Sequence, residues 1–157
     1  MTSQTESAEL RARWRSSWLY SIQELSDLEM QRATWLNPHN DNPHYSFVEY
    51  VEAYLDDLAL GDANGGYAAC VAEGLMSEEE AAAALKLHAL LERYEPPTDR
   101  YDHHTILEDP EWHYIVSAAE EAKASLLSII VQPHERAILL RPSEHALVAA
   151  SNGGACP

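Results

Sequence analysis

Apolar side chains at helical spacing are the feature that most limits how this chain can fold. The first 25 residues carry one such stripe, in which apolar positions recur every three or four residues and so mark one face of a long helix. Similar stripes lie within residues 46–58, 78–94 and 110–130. The sequence therefore predicts an all-α fold, an irregular bundle of about five or six helices. The members of the first stripe are Leu10, Trp14, Trp18, Ile22 and Leu25.

Helix start signals divide the chain in the same way. The runs Ser77–Glu80 and Ser26–Glu29 both have the Ser-x-x-Glu pattern of a capping box. Asp109 followed by Pro110 is a third start, since proline suits the first helical position. Residues 67–75 fit either a helix or a strand, and residues 137–140 fit a short strand, so an α+β fold is the alternative.

The 157 residues suit one domain with a buried core. We expect residues 1–131 to form a single helical domain and residues 132–157 to be a C-terminal extension, weakly ordered or packed on that domain. The start of the chain is polar, no apolar run approaches the ~18 residues of a membrane span, and two cysteines are too few for a disulfide framework. These features predict a soluble cytoplasmic protein, either a monomer or a homodimer.

Negative charge is concentrated in the middle of the chain. The net charge is −16, and residues 33–122 carry nineteen acids against three bases. No lysine or arginine lies between Arg32 and Lys86. This excess argues against binding to nucleic acids or to anionic membranes, because both need a surplus of positive charge on the protein.

An acidic helix face follows from the spacing of three carboxylates. Glu49, Glu52 and Asp56 stand at i, i+3 and i+7, with Asp57 beside them and Asp62 in the next loop. Because no base is near in sequence, a basic protein surface is the partner that these groups suit, and it would be steered towards them by charge. The plainer alternative is that the charge only keeps the protein soluble.

Aromatic residues near these acids are candidate anchors for such a partner. Tyr45 and Trp35 lie close in sequence, and buried aromatic anchors dominate the energy of many interfaces. Burial in the core is the other interpretation of Trp35. Trp14, Trp18 and Trp112 lie on apolar stripes, so we expect them in the core.

Signatures of catalysis are missing from the sequence. It contains no nucleophile-elbow motif, no phosphate-binding glycine loop and no pair of histidines four apart on one helix. We therefore expect no catalytic residues, no cofactor and no enzymatic activity. The weak candidates for metal ligands, in a less favoured metal-dependent enzyme, lie in predicted loops and are His39, His44, His103 and His104.

The run Leu25-Ser-Asp-Leu-Glu-Met-Gln-Arg-Ala-Thr-Trp35 resembles the Leu-x-Asp-x-Glu-x-Gln-Arg-x-x-Trp signature of a little-characterised family of small acidic bacterial proteins. The order continues similarly through an Asn/His-Pro loop, Asp56-Asp57, a Glu/Ala-rich helix and Asp109-Pro-Glu-Trp112. The resemblance covers roughly residues 18–127, and the tail after Val131 departs from it.

The family is also similar, in size and acidity, to immunity proteins of contact-dependent growth inhibition and other polymorphic toxin systems. Those proteins occlude a toxin domain, often a cationic nuclease. The resemblance therefore implies an immunity protein that neutralises a cognate toxin with a basic surface by charge-complementary occlusion. The alternatives are an acidic regulatory protein and a nucleic-acid mimic that blocks a DNA-binding protein.

Overall fold

The computed structural model describes residues 2–61 and 65–140. Every regular element in these ranges is helical, which confirms the all-α prediction. None of the described helices is both long and apolar enough to cross a membrane. The elements are α1 (Thr2–Leu25), α2 (Leu28–Trp35), α3 (Phe47–Glu52), a π-helical segment (Ala53–Asp57), α4 (Gly66–Ala72), α5 (Glu78–Arg93), α6 (His103–Glu108), α7 (Pro110–Ile129) and α8 (Pro133–Leu140).

The core lies between the three longest helices. α5 packs along α7, and α1 contacts α7 as well as α2, α3 and α8. Trp18 and Trp112 are both fully buried, as predicted. Trp14 is half-buried and stacks on Trp18 with the two ring centroids 5.9 Å apart. The apolar stripe of α1 therefore faces the core, although its first member, Leu10, is exposed.

Most of the predicted helix starts are confirmed. At α5 the Ser77 hydroxyl accepts from the Glu80 amide while the Glu80 carboxylate accepts from the Ser77 amide, a complete capping box. At α7 Asp109 is the cap and Pro110 the first helical residue. The second predicted box is displaced by one residue, because α1 runs to Leu25.

The cap of α2 is Asp27, whose carboxylate accepts from the Met30 amide at 3.0 Å. Ser26 does not cap this helix: its hydroxyl donates to the Gln23 carbonyl at 2.7 Å and so closes the end of α1. The two helices thus meet without a loop, which turns α2 sharply away from α1.

Neither segment considered for a strand forms one: α4 covers residues 67–72, and residues 73–75 form an irregular turn. The short strand predicted at residues 137–140 is wrong, because these residues belong to α8, where Ile138 and Leu139 are buried. The Arg136 guanidinium donates to the carbonyls of Leu127 and Ile130, which satisfies orphan acceptors at the end of α7. α8 lies in the predicted C-terminal extension and packs on α1. Residues 141–157 are outside the described part of the chain.

A buried ion cluster joins three helices that are distant in sequence. The Arg15 guanidinium of α1 donates to both oxygens of Glu80 at 2.6 and 2.9 Å and to both oxygens of Glu135 at 2.8 and 3.0 Å. A further bond runs to the Leu75 carbonyl at 3.0 Å. All three side chains are less than a tenth exposed. We call Arg15, Glu80 and Glu135 the Arg15 cluster.

Protonation states in this cluster support one another. Burial alone raises the pKa of Glu80, but the hydrogen bonds from Arg15 and Ser77 outweigh it and hold the pKa below its usual value. Burial likewise lowers the pKa of Arg15, and the two carboxylates more than reverse this. Glu80 is therefore ionised at neutral pH beside the cationic Arg15, and Glu135 binds the same guanidinium.

We expect the substitution Arg15→Ala to lower the free energy of unfolding by about 3–5 kcal/mol, because it leaves two buried carboxylates without their cation. Urea denaturation of the full chain measures the loss. The control is Arg13→Ala, since Arg13 is exposed on the same helix and makes no hydrogen bond with a described residue. Equal stability of the two variants would show that the cluster does not hold the helices together.

Candidate functional site

An acidic ridge runs along one side of α3 and the π-helical segment. The Ser46 hydroxyl begins α3 by accepting from the Glu49 amide, and Phe47, Tyr50 and Tyr54 then turn into the core. The opposite side carries carboxylates, of which only Glu52 is half-buried and the others are exposed. We define the acidic ridge as Glu49, Glu52, Asp56 and Asp57.

The π-helical segment changes how the ridge is arranged. A π turn closes its hydrogen bond over five residues, so it rotates later side chains relative to a regular helix. The simple i, i+3, i+7 alignment predicted for Glu49, Glu52 and Asp56 therefore does not continue through residues 53–57. Two residues after the segment ends at Asp57, Ala59 has a left-handed φ of 54°, which keeps the helix from continuing into the buried Leu60.

None of the four ridge carboxylates forms an ion pair with a described residue, although Glu49 attracts the His44 imidazole by charge. Two of the three arginines of α1 are engaged elsewhere: Arg15 in its cluster, and Arg11 on the Gly74 carbonyl at 2.7 Å. The third, Arg13, is exposed and forms no ion pair with a described residue. The excess negative charge of the middle of the chain is thus displayed on the surface here.

The expected aromatic anchors are buried. Trp35 is 6% exposed and Tyr45 is 7% exposed, so the core interpretation of Trp35 holds and neither ring presents an exposed surface to a partner. Trp35 packs among Phe47, Tyr50 and Trp112, with ring centroids 5.1–6.4 Å away. These aromatic neighbours, on α3 and α7, shield the large apolar ring of Trp35 from solvent. Asp62, predicted to extend the acid face, lies outside the described residues.

A groove of about 550 Å³ opens beside the ridge. It lies between α1, the π-helical segment and α8, and Asp57 of the ridge forms part of its wall. Hydroxyl groups and carboxylates dominate the polar part of the lining, and neither lysine nor arginine contributes to it. The lining residues are Ser16, Ser17, Tyr20, Ser21, Glu24, His44, Ala53, Asp57, Leu58, His134 and Ile138.

Glu24 and His44 form an ion pair within the groove. The His44 Nε2 lies 2.8 and 3.0 Å from the two carboxylate oxygens of Glu24, and the Glu24 side chain is 5% exposed. The hydrogen bond that the His44 Nε2–H donates to Glu24 raises the pKa of His44. Burial opposes this shift, and the negative charges of Glu24 and Glu49 add to it. Since Glu49 acts on His44, the ridge approaches the groove at this end as well as at Asp57.

An unpartnered hydroxyl lies behind the same wall. The Tyr50 hydroxyl is buried and has no hydrogen-bond partner among the described residues. Burial and then the negative charge of Glu24 raise the pKa of Tyr50 far above its usual value, so the phenol stays neutral. The His44 ring lies 5.4 Å from the Tyr50 ring, which ties this end of the groove to the core.

The four histidines named as weak metal ligands do not converge. His44 is engaged with Glu24, while the His103 Nδ1 lies 3.3 Å from the Trp35 carbonyl, and burial lowers the pKa of His103. His39 and His104 are exposed. Across residues 2–61 and 65–140 no group of three His, Cys, Asp or Glu side chains could hold a metal ion.

Sequence reasoning missed the contribution of α1 to this site. Ser17, Tyr20, Ser21 and Glu24 recur at intervals of three, one and three residues and so share one polar side of α1. That polar stripe was the available signal in the sequence. The Arg15 contact with Glu135 had no local signal.

Comparison with known proteins found no match: no family model, no curated protein and no solved structure resembles the chain significantly. The resemblance to small acidic proteins of toxin systems accordingly stays a prediction. The site is interpreted below from its own geometry and charge.

We expect the pairing of His44 with Glu24 to stabilise the fold most at low pH. Because the folded pKa of His44 lies above its unfolded value of about 6.5, the stabilisation is complete below that pH and is lost as the pH rises through the folded pKa. Unfolding free energies of the wild type and His44→Gln, measured between pH 5.5 and 8.5, should differ most at the acid end. A difference that is constant with pH would contradict the ion pair.

Proposed function

We propose that this chain is a binding protein of the immunity type, which docks a basic partner protein on the acidic ridge and so occludes the partner's functional surface. The observation that carries the proposal is the set of four surface carboxylates that no described cation neutralises. Concentrated like charge destabilises a compact protein through self-repulsion. A positively charged partner would reduce this repulsion when it binds.

The contrast between the two kinds of acid in the chain supports a role for the ridge. Glu80 and Glu135 are buried and paired with Arg15, and Glu24 is buried and paired with His44. The ridge acids are left over from this internal pairing. Acids that serve only solubility would be expected to be dispersed over the surface, whereas these four lie on one continuous stretch of nine residues.

The mechanism follows from the range of the electrostatic field. At physiological salt the field of the ridge reaches roughly 8 Å, so it orients a basic partner before contact. Carboxylates then pair with arginines in fixed bidentate geometry, which sets the register of docking. If the partner is a nuclease, its basic substrate groove would be covered by the carboxylates where phosphates would otherwise bind.

The test is charge reversal on the ridge. We expect the triple variant E49K/E52K/D56K to associate with the cognate partner about tenfold more slowly or worse at low salt, with a difference that shrinks as ionic strength rises. Stopped-flow or surface-based kinetics measure the rate. In cells that express the toxin domain, the variant should fail to restore growth.

The matched control is E9K/E95K/E120K, which makes the same change in net charge at exposed glutamates elsewhere in the chain. It should protect cells as the wild type does and lose little in association rate. If both triple variants slow association equally, only net charge matters and the ridge is not the contact surface. If neither variant affects protection, the proposed function is wrong.

A further inference from the structure

The groove beside the ridge has the chemistry of a pocket for a guanidinium group. We propose that it receives an arginine side chain of the partner protein, which pairs with Glu24 on the floor and Asp57 at the rim. This inference rests on the proposed function and deepens it, because it assigns the anchoring residue of the partner. It also replaces Trp35 and Tyr45, which are buried, as the centre of the interface.

The charge of the lining favours a cation. Glu24 and Asp57 contribute two carboxylates to the lining. Glu24 is paired with His44, which also lines the groove. His134 lies 3.4 Å from the Ser16 hydroxyl and is exposed. The lining contains no lysine or arginine and one of its two carboxylates, that of Asp57, has no ion-pair partner among the described residues, so the groove favours a cation.

The acceptors in the groove suit a guanidinium better than an ammonium. A carboxylate offers about four lone-pair positions for hydrogen bonds. Among the described side chains, that of His44 is the one bonded to the Glu24 carboxylate, so Glu24 can accept further hydrogen bonds. The hydroxyls of Ser17 and Ser21 lie in the same lining and can also accept. A planar group with five N–H donors can bind several of these acceptors together, whereas an ammonium has three donors around one point.

The shape of the groove suits a long side chain rather than a metal ion. Its volume of about 550 Å³ exceeds what one bare cation could fill, and three apolar residues line it beside the acids. Arginine places its aliphatic stem against apolar surface while its charged end is hydrogen-bonded. The apolar residues are Ala53, Leu58 and Ile138.

The direct test is a titration of the full isotope-labelled chain with Nα-acetyl-L-arginine amide, followed by NMR. We expect millimolar binding, with shifts confined to the groove, and at least about tenfold weaker binding of the neutral citrulline analogue. The pKa of His44 should fall when the probe is bound, since a second cation then competes for Glu24. Shifts scattered over the surface, or equal binding of citrulline, would overturn the proposal.

A neighbouring pair of aspartates supplies matched variants. D57N and D56N remove the same charge one residue apart, but Asp57 lines the groove and Asp56 does not. We expect D57N to weaken binding of the probe about tenfold and D56N less than about twofold. Equal effects would show that the probe senses only the general field. Binding of free L-arginine tenfold tighter than the blocked amide would indicate a small-molecule site and overturn occupancy by a partner.

The same variants separate this inference from the proposed function. If D57N neither weakens binding of the probe nor accelerates dissociation of the partner, while ridge reversal still slows association, the groove inference fails and the proposed function stands. If the probe binds as expected but ridge reversal leaves association with the partner unchanged, the proposed function fails. If D57N accelerates dissociation of the partner but leaves its association rate unchanged, that result supports the groove as the anchoring site.

Discussion

The Arg15 cluster is the interaction on which the rest of the structure depends. It fixes α1 against α5 and α8 through paired bonds to Glu80 and Glu135, which lie 65 and 120 residues away along the chain. A buried ion cluster contributes little net energy compared with an apolar contact, but it tolerates only one arrangement of its members. The position of α8, and with it one wall of the groove, follows from this arrangement.

Internal pairing separates the buried carboxylates of the protein from those on its surface. Internal carboxylates pair with Arg15 and His44, whereas the acids of α3 and the π-helical segment form no ion pair with a described residue. The groove and the ridge meet at Asp57, which makes one continuous negative surface from the floor at Glu24 to the exposed ridge. In the proposed function, the ridge would steer the partner protein at long range, and the adjoining groove would anchor it at short range.

Local signals predicted the parts of the fold that depend on neighbouring residues. The capping box at Ser77 and the Asp109-Pro110 start are confirmed because each is completed within one helical turn. The short α6, capped by Asp102, was treated as a loop, since six residues carry too little periodicity to be recognised. The π-helical segment was missed because apolar spacing does not distinguish one inserted residue from a regular helix.

The candidate site was predicted only in part, for a physical reason. The acids of the ridge are near one another in sequence, whereas the groove is made by α1, the π-helical segment and α8, whose approach depends on tertiary contacts such as Arg15 with Glu135. Trp35 and Tyr45 are buried because α2, α3 and α7 close around them, and that closure has no local signal.

The central claim, that the ridge meets a basic protein surface, is tested most directly by a double-mutant cycle with the cognate partner. Asp56→Lys is combined in turn with reversal of each basic residue at the partner's contact surface. At least one pair is predicted to show a coupling energy of about 1.5 kcal/mol or more, with binding restored when both charges are exchanged. Coupling energies near zero for every pair, and likewise for cycles at Glu49 and Glu52, would contradict it.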